Sequence, residues 1–120
     1  QAAMEAATST TTFVSPARTQ YHPGVAKAWI HSGLDTTNHA SYNITGVTDN
    51  AVGQHTFTIG TDMSGTGYFA VSDIFDDGGV ALSTAVVDKG VGAMGMKVRN
   101  DADTLTDPSG GFLMAAFGDQ

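Results

Sequence analysis

The chain has 120 residues, of which 41% are hydrophobic, 14% charged and 15 are glycine; that is enough for one domain around a single core and too short for a catalytic domain joined to a separate binding domain. Twelve acidic against five basic residues give a net charge of -7, which works against phosphate-backbone contacts and against anionic membrane surfaces. With no cysteine, neither a disulfide framework nor a thiolate metal site is available, and the fold must hold by packing or by association.

Sixteen Thr and eight Ser favour strands and turns over helices, so the fold class read from composition is all-β. Eleven of the twelve acids are Asp and only Glu5 is Glu, which places most of the negative charge in turns, where Asp bonds its own backbone. No apolar run approaches the roughly 20 residues that cross a bilayer, and no basic n-region precedes an apolar one, so a soluble chain is expected. It begins at Gln1 rather than Met, as a piece of a longer protein would.

In chain order, residues 1–24 read as a lead-in. Ala2 to Ala7 (AAMEAA) suit one or two helical turns that must pack on something to persist, and Pro16 and Pro23 then hold the chain extended. From residue 25 to 120, short β-type runs alternate with Gly, Asp and Asn, as in a sandwich or barrel. Seven strands are predicted: Val25 to His31, Ser41 to Val47, His55 to Ile59, Tyr68 to Phe75, Val80 to Val87, Ala93 to Val98 and Gly111 to Phe117. Alternation is clearest where Tyr42, Ile44 and Gly46 oppose Ser41, Asn43 and Thr45, and where Phe57 and Ile59 alternate with Thr56 and Thr58. Phe112 to Phe117 is apolar at every position and must be covered on both faces. In so small and glycine-rich a chain that predicts a subunit interface, with Met4, Trp29, Phe112, Met114 and Phe117 as the candidate interface residues and an oligomer of antiparallel sandwiches as the expected assembly.

Chemistry-bearing motifs are scarce. Gly90-Val91-Gly92-Ala93-Met94-Gly95 matches a dinucleotide fingerprint in letters, but Met96 to Asn100 read as a strand instead of the helix that the fingerprint opens; the glycines are read as a hairpin loop and no cofactor is expected. Asp73, Asp76 and Asp77, and Asp101, Asp103 and Asp107, are oxygen donors of the kind calcium uses, without the Gly and Glu positions of a helix-loop-helix site, so turn formation is the better reading. His22, His31, His39 and His55 include no pair at metal-ligand spacing, and no metal is assigned, although a trimer could gather three copies of one His on its axis. There is no nucleophile elbow, and adjacent Asp76 and Asp77 would point to opposite faces of a strand. Asn43-Ile44-Thr45 fits a glycosylation pattern but falls in a predicted strand, and Trp29 reads as a packed anchor more than a sugar platform.

Tyr21-His22-Pro23-Gly24-Val25-Ala26-Lys27-Ala28-Trp29-Ile30, preceded by Thr8 to Thr12 and by Pro16-Ala17-Arg18, resembles the C-terminal domain of tail-fibre and minor tail proteins of tailed bacteriophages and prophages. Ser41-Tyr42-Asn43-Ile44, Val47-Thr48-Asp49-Asn50 and Gly53 to Thr58 are similar to that family's hairpin, and Ala115-Ala116-Phe117-Gly118-Asp119 to its closing strand. The matches span about residues 1–60 and 111–119. The resemblance implies a trimeric, β-rich, non-enzymatic tip in the virion, at the distal end of a tail fibre, joined to an upstream shaft and contacting a host cell-surface glycan or outer-membrane protein. A purely structural trimerisation cap and, last, a polysaccharide-cleaving enzyme are the alternatives. If consecutive strands are antiparallel, the loops Ser32 to Ala40, Gly60 to Gly67 and Asp88 to Gly92 share the end away from the chain's start, which makes His31, Asp35, Asn38, His39, Asp62 and Lys89 the candidate receptor contacts.

Overall fold

The computed structural model describes residues 19, 22, 24–33, 38–75 and 81–120. The predicted helical lead-in, Met4, Asp35, Asp76 and Asp77 lie outside them. Eight strands are present among the described residues: β1 (Ala26–Gly33), β2 (Asn38–Tyr42), β3 (Ile44–Ala51), β4 (Gln54–Ile59), β5 (Phe69–Phe75), β6 (Leu82–Val87), β7 (Ala93–Asn100) and β8 (Gly111–Phe117). They form two four-stranded sheets, sheet 1 in the order β2-β1-β8-β5 and sheet 2 in the order β3-β4-β7-β6, with every neighbouring pair antiparallel.

Side chains alternate across a strand with a period of two, and that period decides the core. Ala28 and Ile30 of β1 with Phe112, Met114 and Ala116 of β8 point to one side of sheet 1, while Phe57 and Ile59 of β4 with Met94, Met96 and Val98 of β7 point to one side of sheet 2; all are buried in one cluster. Phe57 meets Phe112 edge-on across the gap, with ring centroids 5.5 Å apart. The two sheets therefore face each other as a sandwich, with eight strands where about seven were expected.

The same period corrects the interface expectation. Phe112 and Met114 are packed inside the chain against sheet 2 and have no surface to offer a partner subunit. The residues of β8 that face outward are the other set, Leu113, Ala115 and Phe117.

The eighth strand arises at Asn43. Ser41 to Val47 is not one strand: Asn43 takes a left-handed backbone at φ 55°, which Asn tolerates better than other non-glycine residues, and it separates β2 in sheet 1 from β3 in sheet 2. Its carboxamide fixes the corner. Nδ2 donates to the carbonyls of Lys27 (3.0 Å) and Thr61 (3.1 Å), Oδ1 accepts from Thr61 N–H (2.6 Å), and its own carbonyl accepts from Gly60 N–H (3.0 Å).

One additional reversal changes which loops meet. The chain enters β1 at the near end of the sandwich, where the Asn43 corner, the 60–68 and 88–92 connections and the C-terminus also lie. Hydrogen bonds join them: Met63 N–H to the Val91 carbonyl (2.9 Å) and Ser64 N–H to the Asp119 carbonyl (2.9 Å). The end of β1 and the start of β2 lie at the opposite, far end, with the 52–53 turn and the 101–110 loop; there Gly53 N–H donates to Asp107 Oδ1 at 2.7 Å. The expectation that Ser32 to Ala40, Gly60 to Gly67 and Asp88 to Gly92 share an end is thus wrong, because it counted one strand between His31 and His55 where there are two between β1 and β4.

Candidate functional site: the outer face of sheet 1

The two outer faces differ in chemistry. On sheet 2 the outward positions are Gln54, Thr56 and Thr58 on β4, Lys97 and Arg99 on β7 and Ser83, Ala85 and Val87 on β6, a mostly polar face of the usual antiparallel kind. On sheet 1 the register builds a different surface. Tyr42, Trp29, Ala115 and Val71 lie in one row across β2, β1, β8 and β5; Ala40, His31, Leu113 and Asp73 form the next row toward the far end; Phe117 and Phe69 adjoin toward the near end. Within it Trp29 is 39% exposed, Tyr42 49% and Phe69 65%, and Val71, Phe75 and Leu113 are also exposed. A shallow groove of about 490 Å³ runs along this face between Trp29, Val71, Asp73, Leu113 and Ala115.

Trp29, read as a packed anchor, instead stands outward on this face. Of the other expected interface residues, Phe117 is half-buried beside Phe69 at the near end of the face. Tyr42, Phe69, Val71, Phe75 and Leu113 were not among the interface residues named from the sequence. The signal was present in Phe112 to Phe117 being apolar at both parities: the inner parity fills the core, and the outer parity marks the face.

The candidate receptor residues separate into two groups. His31 and His39 sit at the far end in β1 and β2, with ring centroids 5.1 Å apart, and Asn38 opens β2 there; all three belong to strands, not to a loop. Asp62 and Lys89 sit at the near end. Lys89 is committed to structure, because its Nζ donates to the Tyr68 carbonyl at 2.8 Å and lies 5.2 Å from the Tyr68 ring centroid.

Two shifted groups flank the near end. Burial pushes the Tyr68 phenol above its ordinary range; its hydroxyl donates to the Gly90 carbonyl at 3.0 Å, with the Ala93 carbonyl at 3.3 Å. Burial lowers the Lys27 ammonium, partly opposed by the pull of Asp119, and its Nζ donates to the His22 carbonyl at 3.3 Å.

The acidic stretch from Asp101 to Asp107 acts as a turn. Asp103 Oδ1 pairs with Arg99 at 3.3 Å, Asn100 Oδ1 accepts from the N–H groups of Ala102 and Thr104, and Asp107 holds Gly53. Among the described residues no group of three or more His, Asp or Glu is arranged to hold a metal ion. The GVGAMG stretch forms the end of the β6–β7 loop and the start of β7, so no helix N-terminus follows it. Comparison with protein-family models, with curated proteins and with solved structures found no match to the chain.

Proposed function

We propose that the chain is a non-enzymatic tip domain of a phage tail fibre that trimerises through the outer face of sheet 1 and meets a host cell-surface glycan or protein with its far end. The observation that carries the assembly half is the apolar face just described. A single patch holding Trp29, Tyr42, Phe69, Val71 and Leu113 is of the kind that marks an interaction surface, since contiguous exposed apolar patches are often functional.

The width of sheet 1 is compatible with three copies. Four strands about 4.8 Å apart make a sheet roughly 19 Å wide, and three such sheets around a threefold axis would each stand about 5 Å from it, half the usual ~10 Å spacing of packed sheets. Side chains of this face would then fill the axis, and edge strand β2 of one copy would come beside β5 of the next, which removes open edges.

The recognition half rests on the sequence resemblance and on where the chain enters. A shaft joined before β1 would leave the far end pointing outward, with Asn38 and His39 there and Asp62 and Lys89 on the shaft side.

The test is whole-cell binding by the assembled domain. Replacing Asn38 and His39 together by Ala is expected to abolish adsorption to a sensitive host, while the Asp62→Ala variant is expected to adsorb as the parent does. Unchanged adsorption by the Asn38/His39 variant would overturn the far-end reading in favour of a structural cap, and release of reducing sugar from host polysaccharide would overturn the non-enzymatic reading.

A further inference from the structure

None of the four histidines shares a metal-ligand spacing along the chain, yet the fold brings two of them together. In the β1–β2 ladder His31 is opposite Ala40, whereas the next residue, Ser32, is opposite Asn38. His39 is therefore the extra residue of a β-bulge. Bulges re-aim a side chain out of the regular alternation, and here the His39 ring comes to lie 5.1 Å from the His31 ring, centroid to centroid, at an interplanar angle of 50°.

His31 is held from its other side. The Phe75 ring reaches over Gly111 from β5 and meets His31 edge-on, 4.8 Å between centroids at 81°. One imidazole is thus oriented by packing, while the second belongs to an exposed residue and can turn toward it.

The geometry points to a two-histidine site for a zinc-class divalent cation at the far end of β1 and β2. Two imidazoles that share one tetrahedral cation through bonds of about 2.0–2.1 Å put their ring centroids about 5 Å apart, the separation found between His31 and His39. Neutral imidazole is a ligand suited to Zn²⁺, Ni²⁺ and Cu²⁺, and the net charge of -7 favours a bound cation. Two protein ligands leave the remaining positions to water or to an oxygen or nitrogen donor from a partner, so the site is open and exchangeable. Both ligands come from one chain, so the site does not require the trimer, but His31 shares the outer face of sheet 1 with Leu113 and His39 belongs to the far end proposed to meet the host.

Calorimetric titration of the whole chain with Zn²⁺, alongside histidine side-chain ¹H–¹⁵N spectra, tests it. One Zn²⁺ per chain is expected, with the His31 and His39 ring resonances moving together. His39→Ala, at an exposed position that should leave the circular dichroism spectrum unchanged, is expected to weaken binding at least tenfold. His31→Asn should do the same, and His22→Ala, at the near end, should not. Binding to His39→Ala as tight as to the parent, or no binding by the parent beyond that of the His31/His39 double variant, would overturn the site.

Discussion

Single residues explain several features that composition leaves open. Gly111 begins β8 at φ +149°, and a Cβ there would collide with the Ser32 carbonyl oxygen and stand 2.9 Å from the Phe75 ring. The position is reserved for glycine by both backbone and space, and the Phe75–His31 contact depends on it. Gly111→Ala is expected to destabilise the fold by roughly 2 kcal/mol or more and to reduce Zn²⁺ binding, read by urea unfolding and by the same titration. Tyr68 makes a different kind of prediction. Its phenol is neutral in the folded chain to a higher pH than in the unfolded one, so its contribution is intact below about pH 10 and is lost as pH rises above that unfolded value. Lys27 has the opposite sign: with its ammonium lowered by burial, the folded chain sheds that proton first, and stability rises with pH between the folded pKa and the unfolded 10.5. Tyr68→Phe should therefore remove the alkaline loss while lowering stability at pH 7 by about 1 kcal/mol through the missing hydroxyl bond; a parent and variant with superimposable stability–pH curves above pH 9 would contradict this.

At the level of elements, the strands legible in the sequence were those with clear alternation or a continuous apolar run, and β4, β5, β7 and β8 fall within a residue or two of where the pattern put them. What the pattern could not supply was the break inside Ser41 to Val47. Tyr42, Ile44 and Gly46 alternate correctly for one strand, but in the fold Tyr42 is exposed on sheet 1 and Ile44 is buried beneath sheet 2, because Asn43 rotates the chain between them. The hint was the residue type alone, an Asn among strand formers, and its three side-chain hydrogen bonds are to groups near in space but distant in sequence. β2 was missed for a related reason: Asn38-His39-Ala40 has weak strand propensity and is held by pairing with β1. These two omissions account for the wrong grouping of Asp62 and Lys89 with His31 and His39. The corner itself is testable. Asn43→Ala forfeits the carboxamide bonds and keeps an unfavourable left-handed φ, for an expected loss of about 2–4 kcal/mol, whereas Asn43→Gly restores the backbone freedom and should lose less. Equal denaturation midpoints for the two variants would mean that the backbone conformation contributes nothing and the hydrogen bonds everything.

For the whole molecule the decisive contrast is between the two parities of β8, whose residues differ in role while resembling one another in composition. Phe112 is enclosed between the sheets, so Phe112→Ala opens a cavity in the core and should lower stability by roughly 3–5 kcal/mol whatever the oligomeric state. Leu113, its neighbour, is outward on sheet 1 and 39% exposed. A charge there is tolerable in a single chain, where water solvates it, and intolerable when three faces meet on an axis that excludes water. Leu113→Asp is thus expected to leave the far-ultraviolet circular dichroism of the chain nearly unchanged while reducing its light-scattering mass from three times 12.3 kDa to one. Lys97→Asp, on the polar outer face of sheet 2, supplies the matched control and should keep the larger mass. If the parent already scatters as one chain, the apolar face of sheet 1 belongs to some other partner and the trimer is excluded. If Leu113→Asp and Lys97→Asp both keep the mass of three chains, association runs through a different surface, and the chemistry of sheet 1 must be sought in what docks on it rather than in copies of itself.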